Sequence, residues 1–143
     1  MAGLSEKSGD TLALARRDAE IYRELKFKEL YPTITLQGRD KVASRDAWVL
    51  EAKPAEGAAE KYYFDAETGL LVRHDAQRPG PQGMTPMQMY FEEYKEVDGV
   101  RFPFVIRQTG PGFELLLKTT EVKNNVPVED SQFAKPAAKV APQ

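Results

Sequence analysis

Tyr90-Phe91-Glu92-Glu93-Tyr94-Lys95-Glu96-Val97-Asp98-Gly99-Val100-Arg101-Phe102-Pro103-Phe104-Val105-Ile106 reads as two long strands folded about a two-residue turn. Asp-Gly between aromatic and β-branched runs is a strong hairpin signal, because a type I′ turn needs φ > 0 at both central residues. On the second arm Val100, Phe102, Phe104 and Ile106 alternate with Arg101, Pro103, Val105 and Arg107, which predicts one apolar face and one mostly wet face. Pro103 cannot donate to a ladder, so its strand is expected to bulge or to expose that position. If Phe91 and Tyr94 both face the core, Glu92-Glu93 must be a bulge too, since the two are an odd number of residues apart.

Working outward, turn signals recur at the spacing of a meander. Short strands are expected over 33–37, 47–53, 61–65 and 70–75, with Asp65-Ala66-Glu67-Thr68-Gly69 as a type I turn closed by glycine. Residues 78–86, with three prolines and two glycines, read as a mobile loop between two hairpins. Beyond the opening hairpin, Gly110-Pro111-Gly112 turns into a last strand from Phe113 to about residue 123. Ahead of the strands, Ser8 or Asp10 caps an expected helix over 11–28, with an apolar stripe that includes Leu14, Ile21, Tyr22 and Leu25, and Pro32 ends that segment. Residues 1–10 and the Ala/Pro/Lys-rich 134–143 are expected to be disordered, leaving 11–133 as one domain. Strands joined by short turns are antiparallel neighbours. The expected fold is therefore α+β: a single curved antiparallel β-sheet of about seven strands, a meander or half-barrel, packed on one N-terminal helix.

Composition removes several function classes. The 143 residues suffice for one domain with a real core, and 20 basic against 22 acidic side chains give a net charge of −2. That balance offers no basic field for nucleic acid. There is no cysteine, which excludes disulfides, thiolate metal sites, cysteine nucleophiles and thioether-linked haem. No run approaches the roughly 20 apolar residues that span a bilayer, so no integral membrane protein is expected, and the first residues carry no signal-peptide pattern.

Few side chains offer reactive chemistry. His74 is the only histidine, so no His-His metal site exists, and a lone histidine at a strand end is more often structural than catalytic. No nucleophile elbow, phosphate-cradling glycine loop, zinc helix or calcium loop is present, and neither a metal nor a cofactor is expected. Glu92 and Glu93 are adjacent on a strand and point to opposite faces, which suits a solvated edge better than paired acids. Tyr62, Tyr63, Phe64 and Tyr90 lack the Lys/Arg groove that base stacking requires. Met84, Met87 and Met89 beside the Pro/Gly segment suit adaptable apolar contacts, with ordinary gap-filling as the plainer reading.

Three segments together carry a resemblance: Tyr63-Phe64-Asp65-Ala66-Glu67-Thr68-Gly69-Leu70-Leu71-Val72-Arg73, the opening hairpin with its Tyr-x-x-Val-Asp-Gly-Val-x-x-Pro pattern, and Asp130-Ser131-Gln132-Phe133-Ala134-Lys135-Pro136. They resemble the outer-membrane lipoprotein-sorting (LolA/LolB-like) superfamily, in particular its bacterial stand-alone members and the similar domain of some reaction-centre-type multihaem cytochromes. The likeness covers about residues 31–136. It implies an incomplete barrel covered by helix, an apolar cavity, a periplasmic or otherwise extracytoplasmic location, and carriage of lipid or acyl chains rather than catalysis. The chain departs from that pattern in lacking a lipobox cysteine, a signal sequence and some strands ahead of the helix, as a fragment or a shortened form would.

The resulting expectation is a non-enzymatic binding or carrier module for a lipid, acyl chain or other apolar ligand. Its lining is expected from Trp48, Leu50, Phe64, Met87, Met89, Phe91, Phe102, Phe104, Ile106, Leu115 and Leu117. The alternative is an accessory domain that docks on a partner such as a multihaem cytochrome, or on a second copy through an exposed sheet edge.

Overall fold

The structure, a computed structural model, describes residues 6–80 and 83–135. Two helical segments, α1 (Gly9–Asp18) and α2 (Phe27–Leu30), precede seven strands: β1 (Thr33–Val42), β2 (Arg45–Lys53), β3 (Glu60–Asp65), β4 (Leu71–Gly80), β5 (Gly83–Val97), β6 (Val100–Gly110) and β7 (Phe113–Lys118). All are antiparallel and lie in sequence order, so the sheet is an unclosed meander with β1 and β7 at its edges. The α+β class and the seven-strand count agree with the sequence. No helix among the described residues is long and apolar enough to cross a membrane.

Two turns match their sequence signals in detail. Asp98 and Gly99 have φ of 52° and 80°, both positive as a type I′ turn demands. Asp65 Oδ1 accepts the Glu67 and Thr68 N–H groups at 3.1 and 2.8 Å, and Gly69 closes that turn at φ 71°.

Register assigns side chains to faces. One rung crosses all seven strands as Leu36, Leu50, Tyr62, His74, Met89, Gln108 and Leu115. Directly opposed residues share a face, and this is the face that carries α1 and α2. The adjacent rung, on the other face, runs Val49, Tyr63, Arg73, Tyr90, Arg107 and Leu116. Each face has its own small core: Tyr31, Ala52 and Tyr62 beneath α2, and Val42, Ala47, Val49, Tyr63 and Val72 opposite. The expected contrast of one apolar and one wet face is therefore corrected, since Val105 is also buried. On the second face the Arg73 and Arg107 guanidiniums lie over the Tyr63 and Tyr90 rings, and their long stems cover apolar surface there.

The helix and the proline segment differ from expectation. Helix α1 stops at Asp18, and Ile21 and Leu25, placed by periodicity on its apolar stripe, are each 85% exposed. Residues 17 and 23 on one continuous helix would lie about 120° apart around its axis; breaking the helix lets both arginines reach one buried carboxylate. Helix has also begun at Gly9, inside the segment expected to be disordered; residues 1–5 and 136–143 of the two expected disordered ends lie outside the described residues. Nor is 78–86 a loop: β4 and β5 stay paired through Gln77–Pro86, Pro79–Met84 and Gly80–Gly83, with residues 81 and 82 of that expected loop outside the described residues. Pro79 and Pro86 stand in pairs two rungs apart, hence of one kind, and beside Pro86 the other flank of β5 has no β6 partner because β6 ends at Gly110. The ladder loses little by their missing N–H groups.

The bulges lie elsewhere than expected. Extra residues enter at Gln37 in β1 and Val72 in β4, whereas β5 and β6 keep one register from Gln88–Thr109 to Val97–Val100. Glu93 takes φ 52° and drops out of pairing without adding a residue. Pro103 pairs with Tyr94 in register.

Candidate functional site

The alternation Glu60-Tyr62-Phe64 sets a carboxylate on the same face as two aromatic rings. Glu60 is 2% exposed and His74 likewise. A carboxylate taken that far from water must be paired and hydrogen-bonded to be tolerated, and Glu60 is. Its Oε1 accepts Arg17 Nη2 at 2.8 Å; its Oε2 accepts the Tyr31 and Tyr62 hydroxyls, each at 3.0 Å, and His74 Nε2 at 2.6 Å. Because an ionised carboxylate only accepts, His74 donates from Nε2. Arg23 and Arg78 approach the two oxygens at 3.6 and 3.7 Å. Burial alone would raise the Glu60 pKa, but the hydrogen bonds from His74 and Arg17 and the positive charge of Arg78 hold it well below the carboxylate range. Burial and the Glu60 charge push the Tyr62 hydroxyl well above its ordinary value.

The same cluster fastens the helical segment. Leu14 is the one buried residue of α1, so the helix is held mainly by polar contacts: Arg17 to Glu60 and to the Glu56 carbonyl, and Asp18 to Arg23 and Arg78 at 3.4 and 3.5 Å. Arg23 Nη2 also donates to the Tyr31 and Tyr62 hydroxyls at 2.9 Å. Thin packing leaves space on both flanks of α1. A cleft of about 500 Å³ opens toward Arg23, Arg78, Met87, Met89 and Gln108, and another of about 790 Å³ toward Arg17, Ala58, Pro79 and Met84.

The residues expected to line one apolar site are partly gathered. Met87 and Met89 line the smaller of those clefts, and Phe91, Ile106 and Leu117 continue the same face as the next rung. Leu115 and Leu117 stand exposed on β7. Trp48, Leu50 and Phe64 are separate, on the far side of Glu60. Leu50 and Phe64 pack on the Tyr31–Tyr62 core, while Trp48 lies under the Arg39 guanidinium at 4.2 Å. Phe104 is buried with Lys95 Nζ 4.6 Å from its ring centre, and Phe102 pairs with Lys95 toward the hairpin tip. His74 and the Glu92-Glu93 pair are likewise apart: the glutamates line a third cleft, with Arg101 and Arg107. Among the described residues no three His, Asp or Glu side chains converge as metal ligands do.

Sequence reasoning missed Glu60 and its arginines. The available signal was a glutamate in strict alternation with two aromatics, beside a His74 that alternation places on the neighbouring strand's apolar face.

No protein-family model and no curated protein matches the chain. A solved structure shares its fold: a DUF1329 family protein from Desulfovibrio piger, at 20% identity and TM-score 0.57, over 74% of this chain and 46% of that one. The chain thus spans less than half the length of that protein.

Proposed function

We propose that the chain is a non-enzymatic binding module of the LolA/LolB-like type, working outside the cytoplasm, that holds a lipid, an acyl chain or another apolar ligand against its helix-bearing face. The observation that carries this reading is the apolar row Met87, Met89, Phe91, Ile106, Leu115 and Leu117, which leaves the cleft beside α1 and runs to the open edge at β7. Pliable thioethers at the cleft suit an adaptable apolar guest, and Leu14, Ala15, Ala76 and Pro79 add apolar surface to the same lining. Native mass spectrometry and solvent extraction of protein purified from cells are expected to recover a bound apolar molecule. Leu117→Asp is expected to abolish its recovery, and an unaltered protein that carries none and takes up no lipid from vesicles overturns the reading.

A second reading, self-association, has its own observation. All six residues of β7 are exposed, with neither proline nor bulge to protect the edge. An antiparallel second copy centred on Leu116 sets Leu115 against Leu117 and Glu114 against Lys118. Light scattering tests it by charge exchange: Glu114→Lys is expected to dissociate the dimer and Glu114→Lys with Lys118→Glu to restore it, whereas a monomeric unaltered protein removes this reading.

A further inference from the structure

We infer that the guest of the cleft beside α1 is an amphiphile with an anionic head, a carboxylate or phosphate, seated at Arg23 and Arg78 with its tail along the methionines. This inference rests on the apolar-ligand reading and adds the chemistry of the head. Charge is the first observation. Three cationic side chains and one carboxylate line the cleft, in a chain whose net charge is −2. They are Lys7, Arg23 and Arg78 against Asp18.

Unequal engagement of the arginines is the second observation. Arg17 meets Glu60 at 2.8 Å, the distance of a charge-assisted hydrogen bond. Arg23 and Arg78 stand 3.6 and 3.7 Å from Glu60 and 3.4 and 3.5 Å from Asp18, outside the strong range for every carboxylate they face. Their side chains are 22% and 17% exposed, and they border the cleft. A guanidinium offers five N–H donors in a planar fork suited to carboxylate and phosphate. Arg23 Nη2 is spent on the Tyr31 and Tyr62 hydroxyls at 2.9 Å and Arg78 Nη1 donates to the Gln77 carbonyl at 3.0 Å, so the donors left for an anion are Nε and Nη1 of Arg23 and Nε and Nη2 of Arg78, where partial burial strengthens the attraction.

Direction is the third. From His74, beside Glu60, the rung crosses Met89 and Gln108 to Leu115, three strand spacings or about 14 Å. Gln108 already spends an amide N–H on Met87 Sδ at 3.6 Å. An anionic head at the arginines thus places an extended tail across Met89 and the Gln108 stem toward Leu115 at the sheet edge.

Calorimetric titration of the full chain with amphiphiles of one tail length separates head from tail. Dodecanoate or dodecyl phosphate is expected to bind at least ten-fold more tightly than dodecanol and dodecyltrimethylammonium, and inorganic phosphate at least ten-fold more weakly than dodecyl phosphate. The stronger of the two anionic heads identifies which oxyanion the site prefers. Raising salt from 50 to 500 mM is expected to weaken dodecanoate at least three-fold with dodecanol unchanged, a readout that needs no variant. Arg78→Gln is expected to cut the dodecanoate preference at least five-fold and leave dodecanol binding in place. Equal affinity for all heads overturns the head assignment while sparing the apolar reading; phosphate binding as tightly as dodecyl phosphate overturns the tail assignment; no binding by any amphiphile overturns both readings.

Discussion

The two faces of the sheet use the same chemistry at different depths. On the helix-bearing face Tyr31, Tyr62, Arg17, Arg23 and Arg78 surround Glu60. On the other, Arg73 lies 4.6 and 5.5 Å from the Tyr63 and Tyr90 ring centres, Arg107 lies 4.3 Å from Tyr90, and Asp75 and Glu92 take the guanidinium charges. Glu60 is 2% exposed, whereas the Asp75 and Glu92 side chains are 23% and 43% exposed. Water compensates a lost partner at the second face and cannot at the first. The difference teaches that a charge cluster's weight in the fold follows its burial rather than its number of contacts.

The sharpest way to break this comparison is Glu60→Gln. The neutral amide keeps shape but leaves three guanidiniums without their shared counter-charge, and removing one partner of a buried ion pair costs about 3–5 kcal/mol. Urea denaturation followed by circular dichroism is expected to show a loss in that range. A loss below about 1 kcal/mol, the level of an exposed pair, would erase the distinction between the faces.

The same carboxylate makes stability depend on pH, with a definite sign. Glu60 in the folded protein has a pKa below its ordinary value of 4.5, so below that pH the unfolded chain binds a proton that the folded chain refuses. The stabilisation is complete above about pH 4.5 and is lost progressively as the pH falls toward the folded value. The urea midpoint is expected to fall between pH 5 and pH 3, and to fall less steeply in Glu60→Gln. Parallel curves for the two proteins would transfer the acid sensitivity to other carboxylates.

How much of this was legible in sequence follows from what each feature depends on. Turns such as Asp98-Gly99 and Asp65–Gly69 are local, so residue identity specifies them, and alternation gave the order of the strands. The break after Asp18 was hidden because periodicity counts apolar spacing, whereas the broken path brings Arg17 and Arg23 to one carboxylate at position 60, a long-range pairing that spacing does not encode. Strands through Pro79 and Pro86 were hidden because a missing N–H matters only where the ladder uses it. Alternation puts Met87, Met89, Phe91, Ile106, Leu115 and Leu117 on one face, as the strand pairing does, whereas the burial of Glu60 depends on which strand faces which helix. Trp48, Leu50 and Phe64 lie on the same face as the apolar row, but alternation cannot reveal that a buried ion cluster divides that face in two.

On the opposite face the expected effects shrink. Asp75 accepts Arg73 Nε and Nη2, each at 2.7 Å, and the Tyr63 hydroxyl at 3.1 Å. Asp75→Asn is expected to cost about 1–2 kcal/mol, because the contact is bidentate but partly wet. The same denaturation assay orders it below Glu60→Gln; an equal loss would mean that bidentate geometry outweighs burial.

Smallest of all is Glu92→Gln. Glu92 Oε1 accepts Arg107 Nη2 at 2.7 Å, a shorter contact than Arg17 makes with Glu60 at 2.8 Å. Distance alone would rank the two pairs together. Exposure separates them: Arg107 and Glu92 side chains are 33% and 43% exposed, so solvent screens the attraction and rehydrates whichever partner is left. Arg107 also stays over the Tyr90 ring, a contact that does not need the glutamate. The expected loss is at most about 0.5 kcal/mol, and it should vanish in 1 M salt, where the Debye length is only about 3 Å. A loss above 2 kcal/mol that persists in salt would place this edge of the second face in the same class as Glu60 and break the rule drawn from the comparison.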